Sequence, residues 1–251
     1  MQTRINGADL HYELHGEGEP LLLLHGFLGN GATWATILGG LDRLGQHYQL
    51  VIPDLRGHGR STNPSGEFTL RQSGADMLGL LDSLGIERYR VVGMSGGGMT
   101  ALHMAAAQPD RLERLVLISA TTHFPEQARA IMRTMTEETR SEAEWDQMRA
   151  AHAHGDDQIR ALWRTSRGFA DSRDDMAFTA EALGAIDVPA LIVHGDRDPF
   201  FPLEIATAMH TALPKSWLWV VPGGGHLTLV TEGLTPEFLR LARPFLAGGW
   251  D

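Results

Sequence analysis

The chain has 251 residues, 43% of them apolar, a formal net charge of −10 and no cysteine. Such a length and composition suit one α/β-sized domain with a substantial core and exclude a disordered chain. The acidic balance excludes nucleic acid and anionic membrane as natural partners, and the missing cysteines exclude disulfides, thiolate metal sites and a cysteine nucleophile.

The first residues, Met1 to Gly7, are polar and hold no apolar stretch, so no secretory signal is expected. No apolar run is long enough to cross a bilayer, and a cytoplasmic protein is the expectation. Leu21 to Leu24 reads as a buried strand, followed by a glycine-rich loop and a helical stretch over 32–44. Tyr48 to Ile52 is the next strand, ended by Pro53 and another glycine-rich turn. Leu70, Met77, Leu80, Leu81 and Leu84 fall at helical spacing. Tyr89 to Val92 is a strand, Met99 to Ala107 a helix and Leu115 to Ile118 a strand. Ala190 to Val193 resumes the pattern, followed by a helix from Glu204 to Leu213, a strand from Trp217 to Val221 and a closing helix near Pro236 to Phe245. Strands that are continuous apolar runs, alternating with helices, indicate a parallel sheet covered on both faces.

The alternation breaks over residues 122–187. That stretch is helical in pattern, highly charged, and carries Trp145, Trp163, Phe169 and Phe178. The expected organisation is a core of residues 1–121 and 188–251, with 122–187 inserted over the strand ends.

The chemistry centres on Gly93-Met94-Ser95-Gly96-Gly97, a G-x-S-x-G string between a strand and a helix. A sharp strand-to-helix turn strains the nucleophile's backbone, so its neighbours must be small, and the following helix aims its N-terminal N–H groups at the reacting centre. Ser95 is therefore the candidate nucleophile. The overlapping string Gly96 to Ala101 also satisfies G-x-G-x-x-A, but the next strand ends in Ser119-Ala120-Thr121-Thr122 and offers no carboxylate for a ribose. No G-K-[ST] string is present, which removes a P-loop.

A serine hydroxyl needs a base, and on this kind of scaffold the partners follow in the order Ser, acid, His. His226 ends Pro222-Gly223-Gly224-Gly225-His226, directly after the last strand; His210 lies mid-helix. A glycine-rich loop can carry a side chain back across the strand ends, so His226 is the candidate base. Asp198, in His194-Gly195-Asp196-Arg197-Asp198, is the candidate acid, and Asp196 the structural member of that turn. The oxyanion candidates are the backbone N–H groups of Phe27, in Leu24-His25-Gly26-Phe27-Leu28-Gly29, and of Gly96. His25 is expected to brace its loop. The run His152 to Asp156 is expected to be a solvated turn, not a metal site.

Taken with Asp54-Leu55-Arg56-Gly57-His58-Gly59-Arg60-Ser61, these spaced motifs make the chain resemble the α/β-hydrolase superfamily, in particular its small esterase-like members with a helical cap. The resemblance runs over nearly the whole chain. It implies a mostly parallel eight-stranded sheet with helices on both faces, a helical cap at 122–187, and the acid at the last residue of Gly195-Asp196-Arg197-Asp198. It also implies a structural role for the turn at Asp54 to Ser61. Members that open epoxides or remove halogens carry an aspartate where this chain has Ser95. The expectation is thus a carboxylic ester hydrolase acting through an acyl-enzyme on a small-molecule ester, as a monomer or homodimer, with no cofactor and no metal. Lactone opening, C–C bond hydrolysis, acyl transfer and perhydrolysis share the constellation, and a non-catalytic receptor could retain it. Phe124, Trp163 and Phe178 are the candidate substrate contacts.

Overall fold

Eight strands form one sheet in the computed structural model, which describes residues 1–231 and 233–250. They are β1 (Gln2–Ile5), β2 (Ala8–His15), β3 (Glu19–Leu24), β4 (Tyr48–Pro53), β5 (Tyr89–Met94), β6 (Leu112–Ile118), β7 (Ala190–Gly195) and β8 (Ser216–Val221). The spatial order is β1-β2-β4-β3-β5-β6-β7-β8. From β3 onward every pairing is parallel, while β2 runs antiparallel to both β1 and β4.

The parallel strands are apolar throughout because both faces are covered. Leu22 and Leu24 of β3 join one core with Val91, Leu115, Leu117 and Ile192, while Leu21 and Leu23 join the other with Val92, Val116, Leu191 and Val193. The helices are α1 (Thr33–Leu38), α2 (Asp42–Gly45), α3 (Leu70–Ser83), α4 (Gly96–Ala107), α5 (Glu126–Arg133), α6 (Glu142–Ala151), α7 (Asp156–Gly168), α8 (Ala180–Gly184), α9 (Leu203–Ala212), α10 (Thr228–Thr231) and α11 (Thr235–Leu246). Residues of α3, α4 and α9 seal the first core; residues of α1, α2 and α11 seal the second.

Two features depart from the sequence reading of the elements. The hairpin β1–β2 was not foreseen as strands; it turns at Asn6 (φ 46°) and Gly7 (φ 81°), between the paired residues Ile5 and Ala8. Positive φ at both central residues is the turn that matches the twist of a two-residue hairpin. The single helix expected over 32–44 is split into α1 and α2. Gly39, at φ 61°, caps α1 in the left-handed conformation and returns its N–H to the carbonyls of Ala35 and Thr36.

Between β6 and β7 the chain forms α5 to α8. The part of it that holds α5, α6 and α7 leaves and returns at one place, where His123 and Ala177 form a bridge beside a hydrogen bond from Phe178 N–H to the Thr122 carbonyl (3.1 Å); α8 follows that bridge. Among the described residues no helix is long and apolar enough to cross a membrane.

Candidate active site

The parallel strands β3, β5, β6, β7 and β8 end on one edge of the sheet, and β3, β5, β7 and β8 each lead into a loop that carries one expected group, where open α/β sheets place their sites. Ser95 joins β5 to α4 at φ 50°, ψ −115°, a conformation that non-glycine residues rarely adopt. The crowding around this turn explains the glycines. A Cβ on Gly93 would lie 2.5 Å from the Gly97 carbonyl oxygen, and one on Gly97 would lie 2.2 Å from that of Leu24. Both obstacles are backbone and cannot rotate away.

Ser95 Oγ lies 2.9 Å from His226 Nε2, and His226 Nδ1 lies 2.7 Å from Asp198 Oδ2. A carboxylate only accepts, so Nδ1 carries the imidazole proton and Nε2 presents its lone pair to the serine hydroxyl. The Asp198 side chain is wholly buried, and its Oδ1 accepts the N–H groups of Phe200 (2.8 Å) and Phe201 (3.1 Å). These bonds fix the carboxylate plane and with it the ring of His226. Asp196 is exposed and accepts the Gly223 N–H at 2.6 Å, tying the β7 loop to the loop that carries His226.

Across the cleft, the turn Gly26 to Gly29 is closed by Gly29 N–H on the Gly26 carbonyl (3.0 Å). A Cβ on Gly96 would lie 2.9 Å from the Phe27 nitrogen, so the backbones of these two residues approach closely. Neither N–H has a protein acceptor among the described hydrogen bonds. Below the turn, His25 accepts Leu55 N–H at Nε2 (3.0 Å) and donates from Nδ1 to the Gly26 carbonyl (2.8 Å). Its burial pushes the imidazole pKa down to about 4, so it stays neutral and braces the loop. Asp54 holds the same loop from the β4 side, accepting Gly31 N–H (2.7 Å) and Arg60 N–H (2.8 Å). A Cβ on Gly59 would come 2.3 Å from Asp54 Oδ2, which accounts for the glycine there.

The expected substrate contacts lie elsewhere than beside His226. Phe124 is 3% exposed and stacks on Phe169 at 5.4 Å. Trp163, also 3% exposed, packs on Trp145 at 4.5 Å within a small cluster that includes Met148, Ile159 and Leu162. Phe178 is half-buried against His103, two helical turns along α4 from Ser95. The rings that touch His226 are Phe200 (4.8 Å) and Phe201 (5.3 Å). Phe27 is ringed by His58 (4.6 Å), Phe169 (4.9 Å) and Phe68 (5.2 Å). Sequence reading passed over Phe68 and Phe200; the position of Phe200 two residues after Asp198 was the available signal. It also misjudged His152, which is 2% exposed and not solvated.

The alpha/beta hydrolase fold profile matches residues 19–169, and a TAP-like protein profile matches residues 167–234. The human protein Serine hydrolase BPHL is 29% identical over 98% of this chain and 85% of that protein. A 2-hydroxymuconate semialdehyde hydrolase of Pseudomonas putida is 30% identical over 97% of this chain and 93% of that protein. The structure of a meta-cleavage product hydrolase from Pseudomonas fluorescens IP01 superposes with a TM-score of 0.81 at 23% identity, over 99% of this chain and 98% of that one. Fold, family profile and relatives agree: the chain belongs to the alpha/beta hydrolase fold family and is a hydrolase.

Proposed function

We propose that the protein is a serine carboxylic ester hydrolase that acts through an acyl-enzyme on a small to medium, largely apolar ester. One observation carries the reading: the unbroken hydrogen-bonded chain Ser95–His226–Asp198 beside two uncommitted backbone amides. Ser95 Oγ attacks the ester carbonyl carbon as its proton passes to His226 Nε2. The carbonyl oxygen becomes the oxyanion and takes hydrogen bonds from Phe27 and Gly96 N–H. Collapse breaks the bond to the alkoxy oxygen, which leaves as the alcohol with the proton from His226. Water then loses a proton to His226 and attacks the acyl carbon, and Ser95 leaves with that proton as the carboxylic acid is released. Asp198 holds the tautomer and stabilises the imidazolium in both halves. Each oxyanion donor is worth about 10²–10³ in turnover.

Residues 122–187 act as the cap in this reading and shape the pocket. Phe27, Phe68 and Phe200 supply apolar walls. Phe178 keeps its place as a candidate contact, while Phe124 and Trp163 act through the neighbours they brace, Phe169 and Phe27. The names of the Pseudomonas relatives favour a second reading on the same groups, C–C bond hydrolysis of a meta-cleavage product.

The test sets p-nitrophenyl esters of graded chain length beside 2-hydroxymuconate semialdehyde, with wild type and Ser95→Ala, and adds fluorophosphonate labelling. Ser95→Ala is expected to fold normally, to escape the label and to keep less than about 1% of activity, since loss of a triad member costs several orders of magnitude. Activity above that level refutes Ser95 as nucleophile, and turnover confined to the semialdehyde selects the second reading.

A further inference from the structure

The segment that joins α6 to α7 reaches back to the turn bearing Phe27. His152, which ends α6, accepts Gly59 N–H at Nδ1 (2.8 Å) and meets the Leu28 carbonyl at Nε2 (3.1 Å). A backbone N–H only donates, so Nδ1 is the bare nitrogen and Nε2–H donates to Leu28. Neighbouring bonds form a clasp with it. Asn30 Nδ2 donates to the Ala151 carbonyl (2.8 Å), Ala153 N–H to the Gly59 carbonyl (2.9 Å), and Gln158 Nε2 to the Gly57 carbonyl (3.0 Å).

Leu28 is the residue after Phe27, and its φ of 69° is left-handed. That conformation costs a leucine about 1–2 kcal/mol and persists only where the surroundings over-determine it. Here they do so from the insertion. The partly buried Leu28 side chain packs against the cluster of Met148, Ile159, Leu162 and Trp163, and its carbonyl is taken by His152. Leu28 follows Phe27 directly, in the same turn that Gly29 N–H closes on the Gly26 carbonyl.

We propose that His152 is a positioning residue: from the insertion, it holds the Gly26–Gly29 turn in the conformation that aims Phe27 N–H at the developing oxyanion. Residues 122–187 thereby serve turnover as well as substrate choice. The inference rests on the proposed roles of Ser95 and Phe27.

Side-chain geometry supplies a discriminating test. Asn Oδ1 sits as many bonds from Cβ as His Nδ1, and Gln Nε2 as many as His Nε2. His152→Asn therefore keeps the acceptor for Gly59 and loses the donor to Leu28; His152→Gln does the reverse. kcat, KM and thermal stability are measured on p-nitrophenyl acetate and butyrate for wild type, Ser95→Ala and both His152 variants. His152→Gln is expected to lose no more than about threefold in kcat. His152→Asn is expected to lose about 10- to 100-fold on both esters with KM within about twofold, the size of effect a displaced catalytic group produces. Equal kcat in the two variants, high or low, or the reverse order, overturns the inference, as does a loss confined to KM or to the butyrate. If Ser95→Ala remains active, the functional reading itself has failed; if it is inactive while the two variants match, only the role of His152 has.

Discussion

Asp196 and Asp198 stand two residues apart in one turn, yet their surroundings assign them different work. Asp198 is enclosed, with one oxygen held by two backbone N–H groups and the other facing His226, whereas Asp196 is exposed and pins Gly223. Asp198→Asn should lower kcat by about 10⁴, because the amide leaves His226 in the wrong tautomer. Asp196→Asn should cost less than about tenfold in kcat, and about 1 kcal/mol of stability from the weakened loop bond. Steady-state kinetics on both variants decide, and equal losses would refute the assignment of the acid. Buried imidazoles give a second expectation at this scale. Burial holds His25 at about 4 and His58 well below its ordinary value, and lowers His152. Each is raised to about 6.5 on unfolding, so the unfolded chain binds more protons below that pH, and stability falls as pH drops from about 6.5 toward 4. His25 alone accounts for at most roughly 3 kcal/mol across that window. A urea midpoint that stays level between pH 7 and pH 4.5 would contradict this. That Ser95, Asp198 and His226 come together was legible because each follows an apolar strand. His152 was not, because its partners Leu28 and Gly59 lie about a hundred residues away along the chain and no local pattern announces them.

At the level of the elements, packing is tight where β5 turns into α4. Gly97→Ala would drive a methyl into the Leu24 and His25 carbonyls, and we expect misfolding or a loss beyond about 3 kcal/mol in urea unfolding. Gly225→Ala, next to His226, meets open space, and its stability should stay within about 1 kcal/mol of wild type. Comparable losses for the two would remove the steric account of the elbow. The central strands could be read from sequence because a strand buried on both faces is apolar at every position, as Leu21 to Leu24 is. β1 could not be found that way: it is a short edge strand, mostly polar, with one buried residue, Ile5. Its signal was the Asn6-Gly7 pair, a turn signature and not an apolar run. The helix expected over 32–44 failed for the opposite reason, since apolar spacing continues across Gly39 and Gly40 although the backbone there turns left-handed.

For the molecule as a whole, the open question is which side chains choose the substrate. Phe68 bridges Phe27 and Phe169, whereas Phe178 sits over His103 farther along α4. Phe68→Ala should lower kcat/KM for long-chain esters by the roughly 1–3 kcal/mol that a lost apolar contact costs, and for acetate much less; Phe178→Ala should have the smaller effect. Parallel chain-length profiles in all three proteins would deny these rings a part in acyl selection. Such residues were the least legible of all. Whether an aromatic faces the cleft or its own cluster depends on how α6 and α7 pack, and Trp163 turned to Trp145.

The meeting of Thr122 and His123 with Ala177 and Phe178 has a consequence for the history of such a chain. An excursion that leaves and returns at one point can be shortened, lengthened or exchanged without altering the distance its ends must span, and loop-closure entropy grows only slowly with its length. Descent can therefore trade one insertion for another while the sheet below is inherited intact. Whatever replaces it inherits an obligation too: a newcomer that brings no partner for the Leu28 carbonyl must find another way to hold that turn.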